Sequence, residues 1–259
     1  MMKQPLISII ITVLNGAETI HDTLLSIAAQ TFADYELVIV DGGSKDNTVN
    51  IVKASAVRNK VVEVIPGAGL YAGLNAGVRL STGAWLYFMG ADDKLHHEST
   101  LEHIARFIKE KKKETRILVG DVNCVKQGNI LRPMFGSPYL MRHQSHHQGM
   151  FYDRSIFDSM LYDETKRIAS DYGFNLQLAL LAVPHEAIDI IVCDFGGDGV
   201  SENQMKQGFA EMQQVHRELF KGVSQSWVVS YFWLRRTTGA LLRKSNLLKV
   251  RSVLKQLFG

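Results

Sequence analysis

Residues 35–44 read Tyr35-Glu36-Leu37-Val38-Ile39-Val40-Asp41-Gly42-Gly43-Ser44. A continuous apolar, β-branched run without alternation is the pattern of a strand buried on both faces, as in a parallel sheet covered by helices. Its closure by Asp-Gly-Gly-Ser places turn chemistry at the strand's carboxyl end. The same sequence logic recurs on either side. Leu6 to Leu14 is an apolar run ending at Asn15-Gly16, and Trp85 to Met89 ends at Gly90-Ala91-Asp92-Asp93. Val61 to Ile65 reads as a third, shorter strand. Between the strands lie segments of helical period: Glu18 to Gln30, with Ile20, Leu24, Ile27 and Ala28 on one face, then Asn47 to Ser55 and Leu70 to Leu80. The alternation predicts a doubly wound α/β sheet. Ligands of such sheets bind outside the strands' carboxyl ends, so Thr12 to Asn15, Asp41 to Ser44 and Asp92-Asp93 are expected to converge on one crevice.

Further along, Leu101 to Lys113 reads as an amphipathic helix whose lysine run is a solvated C-terminal turn. Ile117 to Gly120 and Gly128 to Leu131 read as strands of a more antiparallel second half. A His-rich segment, His143 to His147, follows, then a helix from about Ser170 to Leu181, a strand from Ile188 to Phe195 and a glycine-rich turn from Gly196.

At 259 residues, 46% hydrophobic and 21% charged, the chain can bury a sizeable core as one large α/β domain with a tail. Two cysteines, Cys124 and Cys193, are too few for a disulfide framework and point to a reducing, cytoplasmic setting. Pro5 to Leu14 lacks the basic front and cleavage pattern of a signal peptide, and no apolar run approaches the ~20 residues of a membrane span. Net charge is +3, but residues 219–259 carry eight Lys and Arg and no acid, leaving 21 basic against 26 acidic side chains elsewhere. That tail joins Trp227, Tyr231, Phe232 and Trp233 to Arg235-Arg236. It then sets Leu247, Val250, Leu254 and Leu257 among Lys249, Arg251 and Lys255. A basic amphipathic segment of this kind suits an anionic membrane surface, or equally the protein's own core or a dimer partner. No recognised nucleic-acid-binding fold accompanies it.

Adjacent carboxylates at Asp92-Asp93 after a buried strand are costly without a cation, which favours Mg²⁺ or Mn²⁺ shared with phosphate oxygens and water. The alternative is a cap for a helix beginning near His96. Asp41 stands where an acid meets a nucleotide's base or ribose, or closes a turn; Gly42-Gly43-Ser44 reads as architecture. Gly67-Ala68-Gly69-Leu70-Tyr71-Ala72 matches a dinucleotide fingerprint, yet Pro66 interrupts the strand-to-glycine junction and a strand, helix and strand already precede it. His143, His146 and His147 have neither zinc spacing nor a companion cysteine.

Together these clusters resemble the family-2 inverting glycosyltransferases of GT-A fold. The resemblance rests on "SIIITVLNGAETI", "ELVIVDGGSKDNTVNIV", "GLYAGLNAGVRLSTGAWLYFMGADD", "HHQGMFYDRSIF" and "IASDYGFNLQL", in that order over roughly residues 6 to 200. It is strongest to bacterial exopolysaccharide transferases of the colanic-acid type, which share a glycine-rich loop like Gly196 to Ser201. The resemblance implies a GT-A, Rossmann-like nucleotide-diphospho-sugar transferase domain over residues 1–204, with a nucleotide half to about 120 and an acceptor half to 204. A basic helical extension would occupy 205–259. It implies Thr12, Asn15, Glu18, Asp41, Asn75 and Asp92 at the nucleotide sugar, and Asp93 as ligand of Mn²⁺ or Mg²⁺. His147-Gln148 would lie beside the acceptor or diphosphate, and Asp171 would be the general base. Two departures stand out. Leu14 replaces a frequent aromatic, and Ala72 replaces an acid in the segment Gly69 to Asn75.

The expected activity is inverting transfer from a nucleotide sugar to a saccharide acceptor, lipid-linked, in exopolysaccharide or cell-surface glycan synthesis. The expected location is the inner face of the membrane, contacted through 227–259. The rivals are a non-catalytic membrane-attached saccharide-binding protein and an NAD-dependent dehydrogenase.

Overall fold

In a computed structural model of the chain, which describes residues 4–136, 146–197 and 205–220, the expected alternation is present from the first strand. Strands β1 (Ile7–Val13), β2 (Tyr35–Asp41), β3 (Lys60–Val64) and β4 (Trp85–Met89) run parallel in the order β3-β2-β1-β4. Helices α1 (Ile20–Ala28), α2 (Thr48–Ala54) and α3 (Leu70–Leu80) make the crossovers.

Successive strand residues face opposite sides of a sheet, and both sides are apolar here. Ile7, Ile9, Ile11, Leu37 and Ile39 pack with Ile20, Leu24 and Ile27 of α1 and with Leu101 and Ile104 of α4 (Thr100–Glu110). Ile10, Val38, Leu86 and Phe88 face the other way, onto Tyr71, Leu74 and Val78 of α3 and Phe174 and Leu178 of α5 (Ser170–Leu180). Two-sided burial is why these strands read as unbroken apolar runs. A glycine pair lets α3 approach β1 closely. A Cβ at Gly73 would lie 2.7 Å from Thr12 Cγ2, and one at Gly77 would collide with Ile10 Cγ2.

The second half extends the sheet through β5 (Lys94–Leu95), β6 (Ile117–Cys124), β7 (Asn129–Leu131), β8 (Met150–Asp153) and β9 (His185–Phe195). Antiparallel β8 joins β4 to β6; β9 lies parallel to β6 and carries β5, while β7 pairs with the other part of β6. Sequence pattern did not anticipate β5 or β8, each too short to display a period. Lys94–Leu95 is a strand rather than a helix start, and α4 opens only at Thr100, so Asp92 and Asp93 do not cap it. The helix also ends at Glu110, before most of the lysine run.

Helix α6 (Met205–Leu219) completes the described elements. The chain divides into two compact units, Met1–Glu211 and Met212–Gly259. All residues of the site described below belong to the first. The loop residues from 198 to 201 and the tail 227–259 lie outside the described residues.

Candidate active site

The turns after β1 and β2 are stitched together by short side chains. Asn15, in the left-handed region at φ 52° that asparagine tolerates, donates its N–H to Ser44 Oγ at 2.7 Å and accepts from Lys45 N–H at 2.9 Å. Asp41 is buried; its Oδ1 accepts Gly43 N–H (2.9 Å) and Ser44 N–H (2.7 Å), and its Oδ2 accepts Ser44 Oγ–H (2.6 Å). Gly43 holds φ +95°, so the turn needs glycine there. Asp46 ties Ala17 N–H (3.0 Å) to Thr48 N–H (3.1 Å), which opens α2. The result is a rigid chain, Asp41 to Ser44 to Asn15, across two strand ends. Leu14, 59% exposed, overlies Gly42. Thr12 is half-buried against α3, and Glu18 is exposed on the turn before α1. The glycines of residues 67–69 fold onto the same turn, Gly67 N–H donating to the Gly42 carbonyl at 2.9 Å.

Beyond β4, Ala91 abuts Gly16 and accepts Thr23 Oγ–H at 2.9 Å, which brings a third strand end to the crevice. Asp93 is fully buried: Oδ2 accepts Gly90 N–H (2.9 Å) and Oδ1 accepts Gly196 N–H (3.0 Å). Burial, helped by the neighbouring Asp92 charge, pushes its carboxyl up to about 6; the two N–H groups and His147 pull the other way. Gly196 packs against the Asp92 main chain, where a Cβ would collide with the Asp92 carbonyl. Asp92 is half-buried, whereas Asp93 is fully enclosed. Among the described residues no three His, Cys, Asp or Glu side chains form a ready metal cage. Two adjacent carboxylates nonetheless fit a hard divalent ion, which takes carboxylate oxygens.

Three elements meet at Asp171, the second residue of α5. Its Oδ2 lies 2.9 Å from His147 Nδ1, and its Oδ1 accepts the Tyr71 hydroxyl at 2.8 Å. The Tyr71 hydroxyl also lies 2.6 Å from the Ile168 carbonyl oxygen. Burial pushes the Asp171 carboxyl up, but His147 and Tyr71 outweigh it and hold the group below the usual carboxylate range. The first turn of a helix adds a favourable dipole. His147 keeps 19% of its side chain exposed against 8% for Asp171.

Gln148 is buried, and its carbonyl accepts the Tyr87 hydroxyl at 2.9 Å. Its neighbour Gly149 packs against the Gly120 carbonyl, leaving no room for a Cβ. The pair therefore presents His147 while Gln148 secures the backbone. Asn75 is not brought to the crevice turns. Its amide N–H groups bond the Tyr162 carbonyl (2.9 Å) and Glu164 Oε1 (2.9 Å), and its oxygen accepts Tyr162 N–H (3.0 Å). Sequence reading missed Tyr71, although it lies inside the quoted segment Gly69 to Asn75; a buried tyrosine in a helix reads as core.

A family model described as Glycosyl transferase family 2 matches residues 8–172. The chain is 36% identical over 185 residues to a PGL/p-HBAD biosynthesis glycosyltransferase of Mycobacterium tuberculosis, covering 68% of this chain and 70% of the relative. The structure of S. aureus TarS 1-349 in complex with UDP-GlcNAc superposes at TM-score 0.72 and 20% identity, over 90% of this chain and 73% of TarS 1-349. Of a longer TarS structure the chain spans 43%. The mannosyltransferase PcManGT of Pyrobaculum calidifontis, in complex with GDP-Man and Mn²⁺, superposes at TM-score 0.62 and 16% identity, over 98% of this chain and 81% of PcManGT. At such identities the superpositions establish a shared fold.

Proposed function

The chain belongs to glycosyl transferase family 2, a family that transfers sugars from nucleotide-sugar donors, and from that premise we propose an inverting, divalent-cation-dependent reaction with Asp171 as base. The acceptor is a saccharide hydroxyl, on a lipid-linked chain, in the synthesis of a bacterial cell-surface glycan such as an exopolysaccharide. The observation that carries this reading is the Asp171 carboxylate. Its two oxygens are engaged at a helix N-terminus by the Tyr71 hydroxyl and His147 Nδ1, which hold it below the usual carboxylate range.

In the proposed step the acceptor oxygen attacks the anomeric carbon on the face opposite the nucleoside diphosphate. The new C–O bond forms as the bond to the diphosphate oxygen breaks, and that oxygen keeps the electron pair. Asp171 takes the acceptor's proton, while Tyr71 and His147 fix the orientation of its two oxygens. Asp92 and Asp93 would hold Mg²⁺ or Mn²⁺, which supplies Lewis-acid neutralisation of the diphosphate charge. The Asp41–Ser44–Asn15 turn network pre-forms the nucleoside end, with Thr12 and Glu18 alongside. Asn75 acts one step removed, by fixing the loop at Tyr162. The basic, aromatic pattern of residues 227–259 supports an acceptor presented at a membrane surface. No helix among the described residues is long and apolar enough to cross a membrane.

The test pairs a thermal-shift panel of UDP, GDP, dTDP and CDP, each with and without Mn²⁺, with sugar-transfer assays. Wild type, Asp93→Ala and Asp171→Asn are compared. A Mn²⁺-dependent shift by one nucleoside diphosphate, lost in Asp93→Ala and kept in a transfer-dead Asp171→Asn, is expected. Transfer that survives in Asp171→Asn removes the assigned base. Donor binding without turnover in the wild type replaces the reaction with saccharide binding.

A further inference from the structure

The segment that delivers Asp171 is held from outside the family match, which ends at residue 172. Glu211, on α6, accepts three successive backbone N–H groups: Arg167 at 3.1 Å, Ile168 at 2.8 Å and Ala169 at 3.0 Å. Ile168 and Ala169 are buried residues, and their bonds to Glu211 are partly shielded from water. A buried amide without an acceptor is costly. Consecutive N–H groups converging on one carboxylate form a nest, an arrangement that binds anions through fixed partial charges.

Two further contacts fix the carboxylate. Gln207, one helical turn earlier on α6, donates its amide to Glu211 Oε1 at 2.9 Å. Gly208, on the same face of the helix, lets α6 pack against Ile168, where an added Cβ would sit 3.1 Å from Ile168 Cγ2. The Glu211 carboxyl titrates low because the three N–H groups outweigh the burial that pushes it up.

The peptide clasped by Glu211 is the one that organises the site. Ile168 gives its carbonyl to Tyr71, the hydroxyl that also contacts Asp171 Oδ1. Ala169 is the residue immediately before α5, two positions ahead of Asp171. We propose that Glu211 is a positioning residue for the transfer reaction. By clasping the amides of 167–169 it sets the place of Asp171 and the second acceptor of its Tyr71 partner. This assigns the start of the C-terminal extension to the catalytic apparatus. It rests on Asp171 being the base.

The experiment compares wild type, Glu211→Ala, Glu211→Gln and Asp171→Asn in the full chain. It reads kcat, donor KM and the nucleoside diphosphate thermal shift separately. Misplacing a reacting group by about 1 Å costs on the order of 100-fold in rate. Glu211→Ala is accordingly expected to lose roughly 10- to 100-fold in kcat, with donor KM and the thermal shift kept within about two-fold. Glu211→Gln keeps an oxygen for the same amides and is expected to recover most of the loss. A Glu211→Ala enzyme with wild-type kcat, beside an inactive Asp171→Asn, overturns the inference alone. So does a Glu211→Gln enzyme that is no better than Glu211→Ala, or parallel loss of kcat and nucleotide binding in both Glu211 variants. Transfer surviving in Asp171→Asn overturns the base assignment beneath it.

Discussion

Asp93 and Asp171 are both buried carboxylates, and His147 acts on each, yet the fold treats them in opposite ways. Asp93 receives two backbone N–H groups, but burial and the neighbouring Asp92 charge lift its carboxyl to about 6. Asp171 receives an imidazole and a phenol at a helix N-terminus, and its carboxyl falls below the usual range. One carboxylate thus holds its negative charge in excess, and the other holds it balanced. Excess negative charge suits a cation, and a diphosphate only through that cation. Balanced charge, with fixed donors on both oxygens, suits a group that stays ionised until a proton reaches it.

The largest expected effect breaks the balanced end. Asp171→Asn removes the proposed proton acceptor while keeping its shape, so kcat should fall about 10²- to 10⁴-fold, the usual span for a positioned acid or base. Nucleoside diphosphate affinity, measured by calorimetry, should stay within about two-fold.

The next effect exposes the unbalanced end in the metal-free protein. The folded pKa of Asp93 lies above its ordinary 3.8, at about 6, so the fold favours the protonated acid. That stabilisation is complete below about pH 4 and is lost as pH rises through 6, at roughly 3 kcal/mol for a shift of this size. Denaturant unfolding from pH 4 to 8 should therefore show a decline in the wild type that Asp93→Asn lacks. Equal slopes in the two proteins would show that Asp93 is not the strained group. Asp171 contributes with the opposite sign, its stabilisation being lost only as pH falls below the carboxylate range.

The smallest effect sharpens the comparison. Tyr71→Phe leaves Asp171 with His147 as its side-chain partner. Losing one of the two contacts that orient the carboxylate should lower kcat roughly ten-fold, less than the ~100-fold cost of a 1 Å misplacement. An unchanged rate would leave His147 as sufficient support for the base.

The crevice was legible in the sequence to the extent that it is built locally. Apolar runs such as Leu37 to Val40 end in polar turns, and the bonds that shape those turns, Asp41 to Gly43 and Ser44, span two or three residues. Asp171 was legible only through family resemblance, since alone it reads as a cap at the start of a helical pattern. Tyr71 and Glu211 were hidden as its supports and His147 was named only beside the acceptor or diphosphate, because the three come from separate elements and no spacing rule joins them to Asp171. Asn75 shows the converse. A motif position was recognised, but the amide's partners at Tyr162 and Glu164, far along the chain, decide what it does. Strand β8 escaped because four residues are too few to show an alternation and the pairing that fixes it lies on β4 and β6.

The Tyr71 hydroxyl has one hydrogen and two oxygens within reach, the Ile168 carbonyl and Asp171 Oδ1. While the carboxylate is ionised it competes for that hydrogen with a charge the carbonyl lacks. On the proposed role of Asp171, neutralising the carboxylate is expected to tilt that contest toward the peptide carbonyl, and the phenol's ring vibrations are where the change would be read.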